Sequence, residues 1–412
     1  MEFFDLTEEE YKSHWNNHPL KTFLSSPEIA KLRSKKGWKV NYIGVKNNEE
    51  IIASAMLLSK KRFLNNYEFY SPRGFLIDYN NKELLSFFIT NTIEYIKKKN
   101  GYVLRIDPYV INKERDINGD VIKDGIDNKD VLDFLKDQGF KKKSIKENEQ
   151  VTWMFSLNLE GKTEEDILKE MKQNTRNIIK KAEKIGIKVK ELSYEELPIF
   201  NNILKETGIR RNFTTREKEY YEDMYNIFHD KNEVKYFITE LNLKEYVEKL
   251  YTEKKEKEQK LQNKNIKITR KEELLKEIKS LENKISEANS IRNKTNNDII
   301  TLSGSMFMLI KPEVIYLSSG NYEEYMKFNS QYLIQWELIK YGIKNGFKKH
   351  NFYGIPENIN EHPDNYGIYE FKKGFNGYVE ELIGEHELPV NINYYIFKLL
   401  HKLKEVKYAL HL

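Results

Sequence analysis

The chain contains no cysteine, which excludes disulfides, thiolate nucleophiles, Cys-ligated zinc and iron–sulfur clusters and suits a reducing compartment. Histidine is sparse, with eight in all, and His350, His362 and His386 are too widely spaced for a metal motif, so no metal is expected. No uncharged run approaches the roughly 18 residues of a spanning helix. The opening Met1-Glu2-Phe3-Phe4-Asp5 lacks the basic-then-apolar order of a signal peptide. A P-loop, a dinucleotide fingerprint, an HExxH zinc helix and a GxSxG elbow are also missing, so covalent and metal catalysis have no visible apparatus and no cofactor is expected. Charge of one sign is lacking too: 69 Lys+Arg stand against 64 Asp+Glu, a net charge of +5 over 412 residues. That balance does not describe a polycation, and any nucleic-acid surface must be local.

What is present is a chain whose 412 residues suffice for two to three domains and whose 39% hydrophobic content suffices for real cores. Its clearest discontinuity lies between Leu243 and Asp298, where aromatics thin out and Lys, Glu, Asn and Gln take over. Leu243, Val247, Leu250, Lys254, Lys257 and Leu261 keep 4-3-4-3-4 spacing, and Leu274, Ile278, Leu281, Ile285 and Ala288 keep 4-3-4-3. These are seams of two helices in an antiparallel coiled coil. Asn263-Lys264-Asn265 separates them, and Thr269-x-x-Glu272 has the form of a capping box starting the second. A solvated spacer or dimerisation arm fits the same composition.

Two passages share one plan. In the first, strands at Trp38–Val45 and Ile51–Leu58 flank an Asn47-Asn48 turn and lead to Tyr70-Ser71-Pro72-Arg73-Gly74, a helix near 82–99, Asn100-Gly101 and a strand ending at Asp107. In the second, strands at Val234–Thr239 and Ile299–Phe307 lead to Leu317-Ser318-Ser319-Gly320, a helix near 329–344, Asn345-Gly346 and a strand from His350. Loop and pre-strand glycines are 27 apart in one copy and 26 in the other. The duplication predicts two α+β modules, each a twisted mixed sheet with flanking helices, and puts the helical pair inside the second. The expected divisions are 1–155 for the first module, 156–242 and 299–390 for the second, 243–298 for the arm, and 391–412 for a C-terminal helix packing on the first module.

From Ile167 to Lys190, eight basic residues face two acids, on one helix expected to start at Thr163 and end at Gly186. Lys172, Arg176, Lys180, Lys181 and Lys184 are its candidates for contact with tRNA phosphates, against the ordinary alternative of a solvated face.

The repeated module resembles the GNAT acyltransferase fold, yet neither copy has the Q/R-x-x-G-x-G/A loop with which acetyl-CoA enzymes of that fold wrap pyrophosphate. The whole sequence resembles the FemABX family of peptidoglycan-branching aminoacyltransferases. The resemblance runs through Phe23-Leu24-Ser25-Ser26-Pro27-Glu28, Lys35-Lys36-Gly37-Trp38, Arg105-Ile106-Asp107-Pro108, Gln173-Asn174-Thr175-Arg176 and onward to Gly186, Thr207-Gly208-x-Arg210-x-x-Phe213 with Tyr220-Tyr221, Gln335-Trp336-Glu337, and Tyr369-Glu370-Phe371-Lys372-Lys373-Gly374-Phe375-Asn376-Gly377. It implies two GNAT-like modules, a coiled-coil arm that helps to hold tRNA, and transfer of an amino acid from aminoacyl-tRNA to the stem peptide of lipid II or UDP-MurNAc-pentapeptide. Such an enzyme would be cytoplasmic, with peripheral contact at the inner face of the plasma membrane as one option; the oligomeric state is open. Alternatives are a GNAT-type acyltransferase acting on another amine, such as a protein N-terminus, and a non-catalytic tRNA- or precursor-binding scaffold.

By the same resemblance Lys36 and Arg210 hold the precursor diphosphate, with Arg211 an equal match one place on. Trp38 is either a ligand platform or a core strand residue. Tyr220 and Tyr221 line the precursor site, although one of two adjacent helical aromatics usually packs inward. Lys372 would stabilise negative charge on the ester oxygen and Phe371 shape the acyl channel, unless Lys372 is a solvent-facing lysine on a β-edge or Lys373 takes its place. Asp107 is the candidate acceptor for the proton of the attacking amine, and Glu385 a weaker one.

Overall fold

The computed structural model describes residues 1–144, 147–263, 266–357 and 363–409, of which 363–366 and 404–409 by backbone alone; His362 lies outside them. Strand β1 (Glu2–Leu6) leads into α1 (Glu8–Asn17), begun by a Thr7/Glu10 capping box, and α2 (Pro27–Lys35), capped by Ser26 with Pro27 at its first position. Strands β2 (Lys39–Asn47) and β3 (Glu50–Phe63) form a hairpin about Asn48 and Glu49, both with left-handed backbone at φ 48° and 72°. That is the conformation a tight two-residue turn needs to match strand twist. Next come β4 (Asn66–Ser71), α3 (Lys82–Lys98), β5 (Gly101–Ile106), β6 (Ile111–Arg115), α4 (Lys129–Asp137), β7 (Lys141–Lys142) and β8 (Trp153–Asn158).

The basic segment is two helices, not the single one expected: α5 (Glu164–Glu170), opened by a Thr163/Asp166 capping box, and α6 (Gln173–Ile185), closed by Gly186 at φ 96°. Met171 and Lys172 take extended ψ values of 147° and 139°, which ends one helix before the other starts. They are followed by β9 (Lys188–Glu191), α7 (Leu197–Arg211), α8 (Lys218–Phe228), β10 (Val234–Asn242), α9 (Leu243–Leu261), α10 (Ile268–Thr295), β11 (Ile299–Ile310), β12 (Glu313–Asn321), α11 (Gln331–Lys344) and β13 (Lys349–Gly354). The chain ends through α12 (Pro363–Lys373), β14 (Tyr378–Leu382), β15 (His386–Pro389) and α13 (Asn393–Ala409). The element order from β2 to β5 recurs from β10 to β13, with α9 and α10 between β10 and β11. No helix among the described residues is long and apolar enough to cross a membrane.

The chain divides into two units, one of Met1–Leu157, Asn351–Lys373 and Gly377–Leu412, the other of Asn158–His350 and Gly374–Asn376. The first contains a sheet in the order β1-β2-β3-β4-β5-β15-β7, in which β4 and β5 run parallel and the other pairs antiparallel. Helix α3 crosses between the parallel strands. Its Leu85, Phe88, Ile89 and Ile96 form one apolar face and join Ile43, Val45, Ala55, Leu57, Phe69 and Leu104 in the core. Each such Val, Leu, Ile or Phe side chain contributes about 1.5–3 kcal/mol by leaving water.

In the second unit β12, β11, β10 and β9 follow one another in antiparallel order. Helices α9 and α10 bury Leu243, Val247 and Leu250 and Leu274, Ile278, Leu281, Ile285 and Ala288. Lys254 reaches Glu282 at 2.7 Å and Lys257 pairs with Glu277, so the helices run antiparallel. Helix α10 begins at Ile268 after an N-cap Lys267 that makes no side-chain cap bond. Thr269 is therefore inside the first turn, and the expected capping box does not form.

Candidate functional site

In the first unit the carboxyl ends of the parallel strands β4 and β5 lie side by side, Tyr70 opposite Arg105 and Ser71 opposite Ile106. The next residues on each strand therefore meet. Asp107 is 3% exposed. Its Oδ1 accepts the Tyr70 hydroxyl at 2.9 Å and the Arg73 backbone N–H at 2.8 Å. The loop turns back because Arg73 and Gly74 are left-handed, with φ 57° and 76°, and a Cβ on Gly74 would stand 2.8 Å from Pro108 Cα. The Arg73 guanidinium lies 3.6 Å from Oδ2, beyond hydrogen-bond reach, and no described residue donates to that oxygen. Burial raises the Asp107 pKa and Glu385 adds to it, while Arg73 and the two hydrogen bonds oppose; the outcome is about 6. Asp107 can thus exchange a proton near neutrality.

Arg73 extends the cluster. Its Nη1 donates to Val151 O at 3.1 Å, its guanidinium lies 5.6 Å from the Tyr109 ring, and it interacts electrostatically with Tyr353. Tyr353 is left-handed at φ 64°, with its N–H held by Asn351 Oδ1 at 2.8 Å. This conformation presents two successive carbonyls to one amine: Lys372 Nζ donates to Gly354 O at 2.6 Å and to Tyr353 O at 3.3 Å. Lys372 sits in the last turn of α12, 4% exposed, not on a solvent-facing β-edge. Burial lowers its pKa to about 7. Lys373 instead lies 3.9 Å from Glu370 and 5.4 Å from the Tyr369 ring centroid, so of the two lysines only Lys372 is buried. Phe371 is half-buried beside it.

Trp38 stands one residue before β2, half-buried, 6.5 Å from the Tyr70 ring. Lys60 and Arg62 each lie 5.6 Å from its centroid. It is therefore outside the strand core, in a cationic setting joined through Tyr70 to Asp107. Lys36 ends α2, exposed, its carbonyl accepting Lys60 Nζ at 3.1 Å. Glu385 is committed elsewhere: it accepts from Lys143 Nζ and Glu149 N–H at 2.8 and 2.9 Å and lies 3.6 Å from Arg105.

The remaining candidates belong to the second unit. Arg210 and Arg211 occupy the last turn of α7, where Arg210 Nη1 meets Met326 Sδ at 2.7 Å and Arg211 is exposed. On α8, Tyr221 packs inward against Phe200, and Tyr220, half-buried, has the Arg216 guanidinium 5.7 Å from its ring. Lys172, Lys180, Lys181 and Lys184 are exposed on or just before α6, with Lys184 3.3 Å from Glu253 of α9. Arg176 departs from the expected phosphate-facing row. Its Nη1 donates to the carbonyls of Leu168 and Lys169 at 2.9 and 2.8 Å, which satisfies the open end of α5.

Sequence reasoning passed over Tyr70, Arg73, Tyr109 and Tyr353. The available signal was the Ser71-Pro72-Arg73-Gly74 turn, read as a loop alone. An arginine at such a turn beside a strand-end aspartate is placed to set that aspartate's charge.

Residues 6–402 match the FemAB family. An aminoacyltransferase FemA of Staphylococcus epidermidis is 33% identical over 428 residues, covering 98% of this chain and 100% of its own length. FemA of Staphylococcus aureus is 29% identical over 427 residues, covering 98% and 99%. The crystal structure of FemX superimposes with a TM-score of 0.74 at 26% identity, over 97% of this chain and 99% of that one. A mixed α+β chain matched from end to end in sequence and in fold leaves one conclusion: it belongs to the FemAB family and is an aminoacyltransferase.

Proposed function

We propose that the enzyme transfers an amino acid from aminoacyl-tRNA to an amine of the stem peptide of a peptidoglycan precursor, lipid II or UDP-MurNAc-pentapeptide, to build the interpeptide bridge. The observation that carries this reading is the occurrence, in one unit of a FemAB chain, of a buried carboxyl poised near pH 6 and a buried amine poised near pH 7, linked through Arg73 and Tyr353. The donor ester is already activated. Transfer needs aligned substrates, a neutral amine and a stabilised oxyanion, and none of these calls for a metal or a covalent intermediate. The amine nitrogen bonds to the ester carbon and the carbon–oxygen bond to the terminal ribose breaks. Asp107 takes the proton released by nitrogen and returns it to the ribose oxygen, which leaves as a hydroxyl, so that the carboxylate is restored. Lys372 stabilises charge on the ester oxygen and Phe371 shapes the acyl channel.

In this reading the two sheets are GNAT-like modules and residues 243–298 form a coiled-coil arm. Lys36 and Arg210 or Arg211 take the precursor diphosphate, Trp38, Tyr220 and Tyr221 line its site, and Lys172, Lys180, Lys181 and Lys184 meet tRNA phosphates on the cytoplasmic side. The FemA names of the relatives and the cations around Trp38 support it. The test is a donor screen, offering tRNAs charged with different amino acids together with each precursor. Transfer from at least one charged tRNA supports the assignment; transfer from acetyl-CoA alone overturns it.

A further inference from the structure

We propose that α13 docks the enzyme on an anionic lipid surface, its outward face entering the headgroup region. The helix has two apolar faces. Tyr394 and Phe397 turn inward onto Tyr102, Val103 and Phe63, with Phe397 5.3 Å from the Tyr102 ring and 5.5 Å from that of Phe63. On the other side Tyr395 is 52% exposed, Ile396 44%, Leu399 60%, Leu400 46% and Leu403 57%, and Ile392, just before the helix, is 69% exposed. Six of the twenty exposed large apolar side chains among the described residues thus fall within twelve positions. Ile392, Ile396, Leu399 and Leu403 follow 4-3-4 spacing and make one stripe. Scattered exposed apolar residues are ordinary, whereas a continuous stripe marks a surface that is covered in use.

Charge identifies what covers it. Residues 393–409 hold four lysines and one glutamate. Lys402 is exposed, and edge strand β7 brings Lys141 to within 4.9 Å of the Tyr395 ring, where it donates to the hydroxyl at 3.3 Å. Lys398 is the partly neutralised one, 2.9 Å from Glu387. An apolar stripe with a tyrosine at its edge and lysines beside it is the composition of a helix lying in a bilayer interface, where lysine stems follow the apolar surface and their charges meet anionic headgroups. A second copy of the same face would set lysines against lysines. The inference does not depend on which precursor is used, and its test needs no substrate.

The full-length protein is sedimented with vesicles of phosphatidylglycerol and phosphatidylcholine, and with vesicles of phosphatidylcholine alone. The expected result is capture by the anionic vesicles only, weakened by salt, and weakened about tenfold or more by the combined Ile396→Gln, Leu399→Gln and Leu403→Gln substitutions. Lys402→Glu, a single exposed charge change that leaves the apolar face intact, weakens capture to a smaller degree. Absence of capture by either vesicle overturns the proposal, as does equal capture of the parent and both variants. A concentration-dependent dimer that the glutamine substitutions abolish, without vesicle capture, also overturns it and assigns the face to a second copy.

Discussion

Lys372 Nζ stands 2.6 Å from the carbonyl oxygen of Gly354, and it is backbone carbonyls, not a carboxylate among the described residues, that hold this buried amine. A cation held by neutral dipoles keeps its charge available for an oxyanion. The same lack of a counter-charge lets burial lower its pKa to about 7, close above the value of about 6 for Asp107. Transfer should therefore show a bell-shaped pH profile, rising as Asp107 ionises near pH 6 and falling as Lys372 loses its proton near pH 7. Asp107→Asn should flatten the acid limb and Lys372→Met the alkaline limb. A profile that both substitutions leave unchanged would remove these residues from the chemistry.

Stability should follow pH with opposite signs at the two groups. The folded pKa of Asp107 is raised from 3.8, so the native state holds the extra proton between about pH 4 and 6 and stability falls as pH rises through that window. The folded pKa of Lys372 is lowered from 10.5, so the unfolded state holds the extra proton between about pH 7 and 10 and stability rises there. Urea midpoints measured across both windows should lose the first slope in Asp107→Asn and the second in Lys372→Met.

Removing the Tyr70 hydroxyl tests how Asp107 is tuned. That hydrogen bond lowers the carboxyl pKa against the effect of burial. Tyr70→Phe should move the acid limb of the rate profile to higher pH and cost about 1 kcal/mol of stability. An unmoved limb with only the stability loss would reduce Tyr70 to packing.

The basic segment should separate into two roles. Arg176→Ala removes donors from the carbonyls of Leu168 and Lys169 and should cost about 0.5–2 kcal/mol of stability while changing tRNA affinity little. Substituting Lys180, Lys181 and Lys184 with Gln should weaken tRNA binding and flatten its salt dependence with little loss of stability. Filter binding over a salt series, run beside thermal melts, tells the two apart; equal loss of tRNA affinity in both variants would contradict the division.

Much of the fold was legible because its signals are local. The Thr163 cap, the Gly186 stop and the spacing of Leu274, Ile278, Leu281 and Ile285 each act within a few residues, and each recurs in the structure, while the turn expected at Asn47-Asn48 falls one place on, at Asn48-Glu49, because Asn47 still pairs with Glu50. The single helix expected from Thr163 to Gly186 failed at Met171, because nothing in composition marks a break that the Arg176 side chain bridges from the following helix. The candidate site was half legible. Asp107 and Lys372 stand in recognisable motifs. Their shifted proton affinities arise from burial, opposed at Asp107 by Tyr70 and Arg73, and their partners Tyr70, Arg73, Tyr353 and Gly354 come from separate parts of the chain and carry no shared pattern.

The most direct test of the proposed chemistry is single-turnover transfer of a labelled amino acid from its tRNA to the precursor by the parent enzyme and by Lys372→Met, with tRNA affinity measured on the same samples. The account predicts that the parent forms an amide-linked product, that Lys372→Met slows its formation about a hundredfold, and that tRNA affinity is unchanged. Transfer by Lys372→Met at the parental rate would contradict it.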